Sequence, residues 1–123
     1  MENVRAGAIG AQNWLGQLYD KGIGMPEDDK EAVKWWWKAA EQGDVDALSR
    51  LAPMYIDGFG VPRDIVTAYA LRNILASIEG WQHQELEKKW KNELKATMTP
   101  EQIAKAQELS REMLKKNPKL IKK

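Results

Sequence analysis

Shifted by 36 residues, the sequence falls on itself. Ala11 meets Ala47, Leu15 meets Leu51, Tyr19 meets Tyr55, Gly22 meets Gly58 and Gly24 meets Gly60. Pro26 then meets Pro62, Asp28 meets Asp64, Ala32 meets Ala68 and Ala40 meets Ala76. The register never slips, and small residues, glycines and a proline recur as themselves rather than merely as apolar positions. Such a chain repeats one supersecondary unit, each copy burying its apolar face against the next, which removes most folds before composition is considered.

Within the first unit Ala8, Ala11, Leu15, Leu18 and Tyr19 recur at helical spacing and predict a helix from about Gly7 to Lys21. Gly22 and Gly24 end it, because glycine adopts the left-handed backbone that closes a helix. Pro26-Glu27-Asp28-Asp29 opens a second helix, its acids favouring the positive end of the helix dipole. That helix runs to about Gln42 and stops at Gly43, with Ala32, Val33, Trp36, Ala39 and Ala40 as its buried stripe and Trp35 beside it. Ala11, Gly16, Ala32 and Ala39 let the two helices approach closely, and Tyr19, Trp35 and Trp36 fill the space between neighbouring pairs.

The second copy, Asp44 to Gly80, departs in places. Pro53 stands where Gln17 stands in the first, predicting a kink or a late helix start. Arg72 replaces Trp36, and Leu75 and Ser77 replace Ala39 and Glu41. Beyond Trp81 the register ends. Leu86, Trp90 and Leu94 form a narrow apolar stripe on a charged helix, and Trp90, like Trp35 and Trp36, is expected in the core. Thr99-Pro100-Glu101-Gln102 supplies a hydroxyl cap, a proline at the first position and a capping-box glutamine. Ile103, Ala106, Ser110, Met113 and Leu114 continue one face to Asn117-Pro118. The expected organisation is one domain over 1–123: repeat one about 5–43, repeat two about 44–80, a helical cap about 81–118, and a frayed basic tail over 119–123.

Composition narrows the chemistry. The 123 residues carry a net charge of +1, which makes no case for nucleic acid or an anionic membrane, although residues 1–60 are acidic on balance and 61–123 basic. No run is apolar enough to span a membrane. Cysteine is absent, so disulfides, thiol nucleophiles and cysteine-type zinc sites are excluded. His83 is the only histidine and reads as a surface residue at a helix start. Glu27-Asp28-Asp29 lacks the alternating ligands of a calcium loop, and Gly22-Ile23-Gly24 lacks the strand that precedes a phosphate loop. No catalytic, cofactor or metal site is predicted. The start MENVRAGAIG contains no secretory signal, so the compartment reads as cytoplasmic, or periplasmic if a leader has been removed.

Ala11-Gln12, Leu15-Gly16, Tyr19, Gly22, Gly24, Asp28 or Asp29, Ala32, Trp35-Trp36 and the run Lys38 to Gly43 together resemble the Sel-one-like repeat (SLR) family, a relative of the tetratricopeptide repeat. The likeness covers about residues 5–80. The stretch MTPEQIAKAQELSREMLKKNP is similar to the terminal helix that follows the last repeat in bacterial members. The resemblance implies an all-α fold, a right-handed α/α superhelix of two helix-turn-helix repeats with two C-terminal capping helices. It also implies a non-catalytic protein–protein interaction module, an adaptor or scaffold holding a peptide or partner protein on the concave face lined by the first helices.

On that face Trp14, Gln17 and Lys21 form a stripe, carried by the repeat to Arg50, Pro53 and Asp57. Trp14 and Trp37 occupy positions that the repeat leaves variable, and large aromatics of this kind are candidate contact residues. The expected partner-binding set is Trp14, Gln17, Lys21, Arg50, Asp57 and Trp37. Cysteine-rich members of the family have been described as penicillin-binding with weak beta-lactamase activity; this chain lacks those cysteines and offers no nucleophile and base. The open N-terminal face, beginning at Ala8, Ile9 and Trp14, is a further route to self-association.

Overall fold

The computed structural model describes residues 9–120 other than Met25. Among them lie six α-helices and no strand: α1 (Ile9–Lys21), α2 (Asp29–Glu41), α3 (Val45–Asp57), α4 (Ile65–Ser77), α5 (Gln84–Lys95) and α6 (Pro100–Lys116), followed by a 3-10 turn over Pro118–Leu120. The start anticipated for α1 near Gly7 lies outside the described residues.

The sequence repeat is reproduced in the turns. After α1 and after α3 the backbone passes through two left-handed glycines, Gly22 and Gly24 in one copy and Gly58 and Gly60 in the other, with φ of 67, 76, 76 and 77°. The Asp28 amide then donates to the Tyr19 carbonyl at 2.9 Å, and the Asp64 amide donates to that of Tyr55 at 2.8 Å. Asp28 caps α2 by accepting from the Glu31 amide, and Asp64 caps α4 by accepting from the Thr67 amide. The second helix of each pair therefore begins after its aspartate. Pro26 and Glu27 precede α2 instead of opening it, because the aspartate side chain satisfies the first free amides and fixes the boundary.

Packing follows from side-chain size. Each helix in turn packs on the next from α1 to α5, and α6 packs principally on α4. At Gly16 a Cβ would overlap the indole of Trp36, so the glycine is what admits the tryptophan between α1 and α2. Ala32, Val33, Trp36, Ala39 and Ala40 form the buried stripe of α2 as expected. Helix α4 differs: Ala68 through Arg72 and Ile74 through Ala76 are buried, nearly all round, as suits a helix flanked by α3, α5 and α6.

The second copy decides between two expected outcomes, and the C-terminus departs from its expectation. Helix α3 starts at Val45 and includes Pro53 in its interior, so the helix does not start late, and the proline is exposed. A frayed end was the expectation from Lys119. Instead the 3-10 turn returns the chain to α2: Leu120 is 4% exposed within the main core, and the Lys119 ammonium donates to Gln42 Oε1 at 3.1 Å. Residues 121–123 lie outside the described residues. The capping box at Thr99 and Gln102 forms as read, with both reciprocal hydrogen bonds present.

Candidate functional site

Two features of the surface unite side chains from different helices. The first joins α1 to α3. Asn13, buried on the inner side of α1, donates from Nδ2 to Asp44 Oδ2 at 3.1 Å and to Asp46 Oδ2 at 2.9 Å. Arg50 Nε donates to the same Asp46 oxygen at 2.9 Å, and Gln17 Nε2 donates to Asn13 Oδ1 at 3.3 Å. Asp44 also caps α3 through the Ala47 amide. Gln17 and Arg50, singled out from the sequence, thus belong to one network whose centre, Asn13 with Asp46, the sequence reading missed. Its signal was an amide at one helix position and a carboxylate 33 residues on, close to the repeat length.

Trp14 stands beside this network with 57% of its surface exposed, so packing does not account for it. Lys21 and Asp57 are exposed as well, further along α1 and α3. Trp37, also in the expected set, is half-buried. Its indole N–H donates to the Tyr55 hydroxyl at 3.0 Å, and the rings meet edge to face at 6.5 Å between centroids. It packs against the main core and joins α2 to α3. A helix inside a stack has two neighbours, and the face turned from α1 is turned toward α3.

The second feature is a cleft of about 280 Å³ lined by Ile56 of α3, Arg72 of α4 and Trp90, Glu93, Leu94 and Thr97 from α5 and the turn after it. Arg72 and Glu87 are 7% and 1% exposed and pair at 2.8 Å between Nη1 and Oε1. The Arg72 guanidinium lies over the Trp90 ring at 4.8 Å from its centroid. Trp90 is not core: it is 39% exposed, because α6 leaves α5 to pack on α4 and, among the described residues, no element covers that side of the stripe. The sequence signal for the pair was Arg72 itself, a cation at a position that the first copy fills with buried Trp36, which demands a nearby carboxylate.

An acidic group sits at the first turn. The Asp29 carboxyl titrates above the ordinary aspartate range, first because partial burial disfavours the charged form, then through the charges of Asp20 and Asp28 and a hydrogen bond with Asp20. A native state that holds this proton more tightly than the unfolded chain is favoured at low pH and loses that contribution as pH rises through the native value. Asp29→Asn is therefore expected to gain stability relative to the wild type between about pH 3.5 and pH 6, spanning the ordinary aspartate range. Urea midpoints at both pH values test this, and a relative loss across that interval would contradict the assignment. Among the described residues no group of three or more acids or histidines is placed to hold a metal ion, and no helix is long and apolar enough to cross a membrane.

Helix pairs repeated at a constant spacing, with matching turns and a shared core, define a helical-repeat protein of the α/α solenoid type. More particularly, the chain belongs to the Sel1 repeat family, whose pattern matches residues 9–44 and 45–71. It is similar to an uncharacterised Sel1-like repeat-containing protein of Schizosaccharomyces pombe, 41% identical over 46 residues that make up 37% of this chain and 7% of the yeast protein. The crystal structure of a protective antigen present in uropathogenic Escherichia coli strains, displaying an SLR fold, matches 91% of this chain at a TM-score of 0.79 and 31% identity. This chain spans 24% of the antigen's length. Repeats of this family generally mediate protein–protein interaction and are typically non-catalytic scaffolds.

Proposed function

We propose that this chain is a non-catalytic interaction module that holds a peptide or partner protein on the concave face formed by its first helices, acting as an adaptor or scaffold. The observation that carries the reading is Trp14, a large aromatic left exposed on α1 beside a hydrogen-bonded polar network that reaches α3 through Asn13, Asp46 and Arg50. An exposed aromatic ringed by hydrogen-bonded polar groups supplies apolar area within a polar rim, which is how interface anchors work. Gln17, Lys21 and Asp57 extend the surface along the same two helices.

The test is capture of a partner from lysate by the wild-type chain and by Trp14→Ala with Arg50→Glu, both verified as helical by circular dichroism. Retention by the wild type alone is the expected result, with at least tenfold less partner on the variant if the aromatic anchor is worth about 1.4 kcal/mol or more. Equal retention would remove the α1 and α3 face from consideration. Hydrolysis of a chromogenic beta-lactam is expected to stay at the rate of the uncatalysed reaction; turnover above it would revive the enzymatic reading.

A further inference from the structure

We infer that the cleft between α3 and α5 is a specificity pocket for a basic side chain, lysine or arginine, of the bound peptide; this rests on the interaction-module reading and adds chemistry to it. Helices α3 and α5 both pack on α4, which leaves a gap between them with Arg72 as its floor. A volume of about 280 Å³ suits one large side chain. Ile56, Leu94 and the half-exposed Trp90 ring give it apolar walls.

The charge of the pocket selects the occupant. Arg72 is neutralised by Glu87, which is itself fully buried, so the pair contributes little net field to the opening. Glu93 is then the uncompensated charge of the lining, and among the described residues it makes no ion pair or hydrogen bond. The neighbouring lysines of α5 do not supply its partner: Lys88 pairs with Glu85 at 3.3 Å, Lys91 donates to Asn73 at 3.3 Å, and Lys89, one turn before Glu93, is exposed and forms no ion pair with it. A lysine or arginine would lay its aliphatic stem along Ile56, Leu94 and Trp90 and bring its charged end to Glu93. One face of the indole is already held by Arg72, which fixes the ring in advance and leaves the remaining surface for the incoming cation. An acidic occupant would meet Glu93 as a like charge, and a purely apolar one would desolvate it without a partner.

A random heptapeptide phage library panned against the full chain and against Glu93→Lys tests the pocket, since Glu93 is exposed and its replacement leaves the core untouched. The wild type is expected to enrich lysine or arginine at one fixed position, and Glu93→Lys to enrich aspartate or glutamate there. A synthetic peptide from the wild-type selection should lose about tenfold or more in affinity for Glu93→Lys, and its binding should weaken with added salt. No enrichment at all, enrichment without a basic position, or an unchanged basic preference in Glu93→Lys would each overturn the inference. The same peptide on the Trp14→Ala, Arg50→Glu variant separates the two readings. Binding that survives there but fails in Glu93→Lys leaves the pocket standing and sinks the α1 and α3 face. Binding lost there and kept in Glu93→Lys does the reverse.

Discussion

Glu87→Ala is expected to remove about 3–5 kcal/mol of stability, the usual consequence of leaving one member of a buried ion pair uncompensated. Glu87 is 1% exposed and Arg72 is 7% exposed, so truncating the acid leaves an unpaired guanidinium at the floor of the cleft, stacked on Trp90 and largely shielded from water. Against a typical domain stability of about 5–15 kcal/mol, that loss is large enough to populate the unfolded chain under mild conditions. The double replacement Arg72→Met with Glu87→Leu is expected to recover most of it, since an apolar pair of similar volume needs no partner. Urea midpoints of the wild type, Arg72→Met, Glu87→Leu and the double variant close the cycle, with Glu87→Ala measured beside them. Equal, additive losses would mean that the pair is less buried than its geometry indicates.

How far the sequence reaches is visible in these same residues. The matched pairs at constant spacing predicted the turns, and the hydrogen bonds of Asp28 and Asp64 reproduce one another to 0.1 Å. The stripe of α2 was equally legible, because a helix that packs on one side writes its contact face as a period. Trp90 was not legible. Periodicity reports that a helix has an apolar face; whether a later segment covers that face depends on where the later segment goes, and α6 goes to α4. Leu120 is the converse, an apolar residue within a basic tail whose burial depends on a chain reversal at Pro118 that no local pattern encodes. Trp37 shows a third limit. Facing away from one neighbour was visible in the sequence, and facing toward the next, where Tyr55 accepts its hydrogen bond, needed the stack. Of the surface assigned to a partner, Gln17 and Arg50 turned out to share a network only because Asn13 and Asp46 lie between them, and such bridging polar residues carry no apolar signal.

Gly60→Ala is expected to cost more than Gly24→Ala although the two glycines are equivalent positions of the repeat with φ of 77 and 76°. Both substitutions force an alanine into the left-handed region, a penalty of about 1–2 kcal/mol. A Cβ on Gly24 would meet nothing within 4 Å, so that penalty is the whole expected effect. A Cβ on Gly60 would overlap the carbonyl of Asp29 and crowd the Lys30 amide, backbone atoms that cannot rotate aside. Either the second turn or the first turn of α2 must then move, which adds about 1–3 kcal/mol as overpacking. The difference between the two variants therefore measures how tightly the second turn seats on the start of α2, free of the conformational term that they share. Equal urea midpoints would show that this seat is loose and that the repeats are held together by their helices alone. The expected gap would make Gly60 a point where one repeat sets the position of the next. Since Asp29 is also the group whose titration reports on that turn, the Gly60 variant should lose most of the pH dependence assigned to Asp29 if the displaced element is α2, and keep it if the displaced element is the glycine turn.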